Sequence, residues 1–315
     1  MRTRYAVSRA AAAALLAVLA AGCASSPPAP RVDDEVARLA RAARQAYGFD
    51  SAARAIPLYR KALDRARALD DAASVGLVGV NLGSCLLDAG RFAEAADVFD
   101  EALADLSRAG RPTAPALVGQ AGAAFGEGRI EEAWMRAGAA TADDARADGG
   151  TRIQALVLQG AIALARGDGK SAAAFLESAE RECRSAPPAT RAPVAALRGN
   201  VRLAAGAPAD AAAAFEREAA LWGEAGNARR VTLALARAGR AHAQAGDSVR
   251  AAGVLQRAAR SAAALGDRDA ARALAREARA AAGSLEDGEG SELRRAIERA
   301  EAAAADAPPR ADGAP

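Results

Sequence analysis

Histidine occurs once in this 315-residue chain, at His242, and lysine twice, at Lys61 and Lys170. One imidazole excludes a zinc centre built on several histidines, and equally a Cys–His pair supported by further histidines. Aromatic residues make up only 3%, and much of the 51% hydrophobic fraction is alanine, which favours helix and packs closely without filling much volume. Helices stacked along a line suit that composition better than a globule around one thick core, so the predicted class is all-α. Excess charge is lacking too. Three of the 42 bases (Arg2, Arg4, Arg9) lie in residues 1–22, and removing that segment leaves 39 bases against 39 acids. The formal +3 and the high isoelectric point are therefore no evidence for nucleic acid, which needs many cations on one face.

The N-terminus reads as an address. Arg2, Arg4 and Arg9 precede an uncharged apolar run, Ala10–Ala21, whose twelve residues fall short of the roughly 20 needed to span a bilayer. The run closes with Leu19-Ala20-Ala21-Gly22-Cys23-Ala24-Ser25-Ser26. This resembles the lipobox of bacterial lipoproteins, with Ala20 where the family usually carries Leu. The resemblance implies a signal peptide over 1–22, a lipidated Cys23, and a Pro-rich tether within 23–35. Ala24 is similar to the sorting pattern for the outer membrane, so the chain is expected there, anchored by its lipid and facing the periplasm. The alternative is a secreted chain cleaved at an Ala-x-Ala site.

Repetition fixes the rest. Small residues recur at Ala43, Gly83, Ala121, Gly160, Gly199 and Gly239, at intervals of 40, 38, 39, 39 and 40. Seven residues beyond each lies a turn: Asp50, Gly90, Gly128, Gly167, Gly206 and Gly246. Five further on comes Ala55, Ala95, Ala133, Ala172, Ala211 or Ala251, and larger Tyr59, Phe99, Leu176, Phe215 and Leu255 follow one helical turn later. The next place holds Ala62, Ala102, Ala140, Ala179 or Ala258, with Glu218 breaking the series. Pairs should also be joined at Asp70, Gly110, Gly226 and Gly266. The clearest copy, Val80–Leu103, carries Leu82-Gly83, Gly90, Phe92, Ala95, Phe99 and Ala102. These residues resemble the tetratricopeptide repeat family, in its longer-helix variety. The resemblance implies a right-handed α-solenoid of antiparallel helix pairs over 36–282, about six repeats plus a partial one. An acidic loop and capping helix are expected over 283–306 and a disordered tail over 307–315.

Chemistry is harder to find. His242 reads as packing and Cys85 as a buried small hydrophobe; Cys183 lies two repeats further along, too far along a stack of neighbours for a disulfide between the two to be expected. Gly167-Asp168-Gly169-Lys170-Ser171 imitates a phosphate loop, but Leu164 stands where a Gly is required and the turn register already explains its glycines. Paired acids such as Glu131-Glu132 and Asp143-Asp144 read as solvated surface. No catalytic, metal, nucleotide or other cofactor site is expected. In the tetratricopeptide family the first helices line a concave surface. Carried over, that lining would include Leu77, Val80, Asn81, Leu87, Val118, Phe125, Gln154, Val157, Leu164, Asn200 and Leu203, with Arg41 and Arg44 at one end and Arg237 and Arg240 at the other. A mostly apolar groove with cationic ends suits an amphipathic helix or peptide with acidic flanks. The resemblance therefore implies a non-enzymatic scaffold for an envelope protein or peptide segment; the alternative is a ligand- or peptide-sensing regulatory module.

Overall fold

The computed structural model describes residues 33–48, 52–142 and 145–283, with isolated positions at 295, 298, 299 and 302. Thirteen helices occupy the long stretches, and no strand occurs among the described residues. They are α1 (Asp34–Gly48), α2 (Ala52–Ala68), α3 (Ala72–Asp88), α4 (Phe92–Arg108), α5 (Ala114–Gly126), α6 (Ile130–Ala139) and α7 (Gly149–Ala165). Then follow α8 (Gly169–Glu182), α9 (Pro188–Ala204), α10 (Pro208–Glu224), α11 (Ala228–Gln244), α12 (Ser248–Ala264) and α13 (Arg268–Ala282). Each odd-numbered helix from α1 to α11 packs on the next, and each pair packs on the following one, making an α-solenoid. Because α1 begins at Asp34, the last residues of the expected 23–35 tether are helical instead. The expected leader, Cys23 and the 307–315 tail lie outside the described residues. So does most of 283–306, although positions 295, 298, 299 and 302 are helical and exposed.

Turn chemistry sets the spacing. Gly90, Gly128, Gly167, Gly206 and Gly246 have φ between +72° and +80°, the left-handed conformation that ends a helix without a Cβ clash. Gly110, Gly226 and Gly266 do the same between pairs, and at the remaining expected junction Asp70 takes φ +50° although it carries a Cβ. The expected turn at Asp50 lies outside the described residues. Often the next residue caps the new helix. Asp168, Asn227, Asp247 and Asp267 each accept a hydrogen bond from the backbone N–H three residues on, at 3.0–3.1 Å. One dipeptide thus stops one helix and starts another, and the Gly167–Ser171 stretch is such a turn and cap.

Packing between helices depends on missing Cβ atoms. A Cβ on Gly83 would lie 2.6 Å from the Phe99 ring, and one on Gly119 only 2.1 Å from it. Phe99 is therefore held between α3 of its own pair and α5 of the next. The ring's neighbour in α5 is Gly119, whereas the repeat register singles out Ala121. Phe215 lies on Gly199, Leu255 on Gly239 and Leu197 on Gly160 in the same way. Phe92, the only aromatic to survive beside a turn, rests on Gly126, where a Cβ would come within 2.4 Å of its ring.

Gly119→Ala is expected to cost about 1–3 kcal/mol, because the ring cannot retreat from the new methyl without striking Gly83. Gly138→Ala, with nothing within 4 Å, should be neutral or stabilising by up to ~1 kcal/mol. Urea unfolding followed by helical circular dichroism separates them; equal midpoints would refute this account of the pair contact.

Candidate functional site

Three consecutive contacts between first helices, α3 with α5, α5 with α7 and α7 with α9, give these helices a common surface. Leu77 is 51% exposed on it and Gln154 is also exposed. Val80, Asn81, Leu87, Val118, Phe125, Val157, Leu164, Asn200 and Leu203 are half-buried. Several of them pack against the cores between helices: Val80 and Leu87 near Leu82, Phe125 near Ile162, Val157 and Leu164 near Leu197, and Leu203 near Phe215. They are walls of the stack more than free contacts. Asn81 donates its amide to the Leu77 carbonyl at 2.8 Å. Arg41 and Arg44 are exposed. Arg237 and Arg240, expected as an open cationic end, are both paired. Arg237 meets Glu218, and Arg240 makes a fork to Glu277 at 2.8 and 2.9 Å.

The sequence reading missed a second cluster entirely. The ends of α1 and α3 lie against α10 and α11, residues that are far apart in the chain. Arg230 Nη2 donates to both oxygens of Asp88, at 3.1 and 2.9 Å, across 142 residues. The Tyr47 hydroxyl donates to the same carboxylate, and burial followed by that carboxylate pushes the phenol's pKa up. The Arg230 guanidinium stacks 4.8 Å above the Trp222 ring. A cavity of about 200 Å³ opens there, lined by these side chains with Ala52, Glu218, Arg229, Leu233 and Arg237. Ala52 explains the space: it holds the place in the first repeat that Phe92 holds in the second, and Asp88 holds the place of Gly126. Where the second repeat fills the gap with a ring, the first leaves it open.

Glu218 is the chemically unusual member. It is 4% exposed, accepts from Trp222 Nε1 at 3.2 Å, pairs with Arg237, and leaves Oε2 without a hydrogen-bond partner. Burial pushes its carboxyl up, and Arg237 offsets this only in part. Its interruption of the alanine series was the visible signal; its partner, in another helix, was not. A second cavity, about 470 Å³ and more apolar, lies between α11 and α13 and shares Arg229, Leu233 and Arg237 with the first. Leu233 is 55% exposed.

Other reactive candidates are quiet. Cys85 and Cys183 are buried and unbridged, and burial with the Asp88 charge pushes the Cys85 thiol up to about 12. His242 is buried, with Nε2 3.1 Å from Glu216 Oε1. No group of three or more His, Cys, Asp or Glu among the described residues could hold a metal ion. No described helix is long and apolar enough to cross a membrane.

No protein-family model matches the sequence, and no curated protein is significantly similar to it. Solved structures are similar in fold. A chain of the APC/C hetero-tetramer Cut9–Hcn1 superposes with a TM-score of 0.53 at 15% identity, over 86% of this chain and 49% of that one. A signal-transduction ATPase with numerous domains and a tetratricopeptide repeat sensor, from Pyrococcus horikoshii, gives 0.55 at 11% identity, over 79% and 40%. The apo form of RapI gives 0.50 at 10% identity, over 85% of each chain. This chain thus spans about half or less of the first two and has the tetratricopeptide-type solenoid fold.

The raised Glu218 carboxyl makes a signed prediction. The folded state holds this proton more tightly than the unfolded chain, so the associated stability is present at low pH and is lost as pH rises above the ordinary glutamate range. Glu218→Gln should match the wild type in acid and exceed it at neutral pH in urea midpoint. A variant weaker than wild type at neutral pH would show that the Arg237 pairing outweighs burial.

Proposed function

We propose that this protein is a non-enzymatic interaction scaffold, tethered to the outer membrane by a lipid on Cys23 and facing the periplasm, that holds envelope proteins together through peptide segments. The observation that carries the interaction reading is the exposure of Leu77 and Leu233. Both belong to first helices, and Leu233 lines the cavity between α11 and α13. A large apolar side chain left open in the lining of an apolar groove, as Leu233 is, favours an apolar partner segment. The tetratricopeptide-type fold supports the same reading, since stacked helix pairs offer extended surface in place of one deep reaction centre. The anchor rests on the residues from Arg2 to Ser26, where a short apolar run ends at one cysteine. Several acyl chains give stable attachment where one gives only marginal binding.

A second reading, a sensing module, draws on the small cavity between distant repeats. A ligand there would touch α3 and α11 together and so report on their separation.

Two experiments test the scaffold. Leu77→Asp with Leu233→Asp, both at exposed sites, should keep the helical signal while crosslinking and pull-down of the full chain from its own cells lose the partner at least tenfold; undiminished recovery would remove the surface from consideration. Cys23→Ser should move the protein out of the outer-membrane fraction, and a variant that still fractionates there would end the lipid account.

A further inference from the structure

Asp88 and Arg230 are each poorly placed within their own helices. Asp88 is the last residue of α3, at the end where a helix dipole disfavours an anion. Arg230 is in the first turn of α11, where the dipole disfavours a cation. Local structure therefore favours neither charge, and each finds its counterpart in the other across the cavity. Helix α11 carries Arg229, Arg230, Arg237 and Arg240 and no acid at all. Asp88, Glu218 and Glu277 from three other helices answer three of these. Arg229 makes no ion pair among the described residues, and it lines both cavities.

The surroundings of Arg230 are those of a carboxylate site. One guanidinium nitrogen, Nη2, reaches both oxygens of Asp88, with Trp222 beneath and the Tyr47 hydroxyl as a further donor. One turn along α11, Leu233 projects into the apolar groove closed by Leu265 and Leu274. Glu218, whose Oε1 is taken by Trp222 and Arg237 and whose Oε2 is buried, forms an acidic part of the cavity wall. Asp88 itself is about a third exposed, as is Arg230, and exposed pairs of this kind contribute little. It occupies the site without securing it.

We propose that Asp88 is an internal stand-in for a partner's carboxylate. A peptide segment bearing Asp or Glu one helical turn from a large apolar residue displaces it, placing the carboxylate on Arg229 and Arg230 and the apolar side chain against Leu233. Displacement releases α3 from α11, so binding and opening of the contact are one event. This inference rests on the scaffold reading and adds to it the chemistry of the segment and the place where it docks.

The test uses the full chain and a labelled twelve-residue peptide built from Glu and Leu, with a Gln-for-Glu analogue as control. Fluorescence anisotropy should show the Glu peptide binding at least tenfold tighter than the analogue. Asp88→Asn should tighten it a further three- to fivefold by removing the internal competitor. Arg230→Gln, or Arg229→Gln should the first not fold, should erase the preference for Glu. In a Trp134→Phe background Trp222 is the only tryptophan left, and its emission should shift red both with Asp88→Asn and on peptide addition. Equal binding of the two peptides, or unchanged affinity in Asp88→Asn, overturns the displacement. If the Leu77 and Leu233 substitutions still abolish recovery of the natural partner, the scaffold reading stands without it.

Discussion

A phenyl ring can press this closely on a helix only where that helix has given up a Cβ. Phe99 meets two such places at once, Gly83 and Gly119, and contacts of this kind recur at Gly126, Gly160, Gly199 and Gly239. Alanine elsewhere keeps backbones close enough that a few large side chains suffice to fix each pair. With aromatics at 3%, each ring or leucine that reaches a neighbour carries a large share of the packing, and its glycine cannot be exchanged freely. The cores are consequently thin and sequential: Tyr59, Phe99, Leu197 and Phe215 each bind adjacent helices.

How far this was legible in the sequence depends on range. The glycine turns, the junctions and the helix pairs are local, and a left-handed residue followed by a capping Asp or Asn writes them into two positions. The match of Phe92 to Gly126 was present too, though a register built on one small residue per repeat passes over it. The contact of Asp88 with Arg230 was not legible. It arises because small rotations between successive pairs accumulate until distant repeats meet, and no residue near either partner records that sum. Glu218 stood between these cases: its departure from alanine was plain and its Trp222 partner lies one turn along the same helix, while its Arg237 partner depends on how α10 meets α11.

The expected lining and the observed cluster also divide by chemistry. The half-buried aliphatic residues of α3 to α9 are committed to the stack and give the surface its form. Polar and cationic groups gather instead on α11, where acids borrowed from three other helices pair with three of its four arginines. The two regions therefore differ in kind: the surface of α3 to α9 supplies rigidity, and α11 supplies charge beside open apolar area.

The Asp88–Arg230 contact has one more consequence. A repeat array behaves as a line in which each unit is coupled only to its neighbours, so its ends fray independently. Joining the second repeat to the sixth turns part of that line into a loop, whose members lose a free end. Even a coupling of about 1 kcal/mol or less then links local unfolding near α3 to that near α11, and cooperativity becomes a property of the closure as well as of the stack.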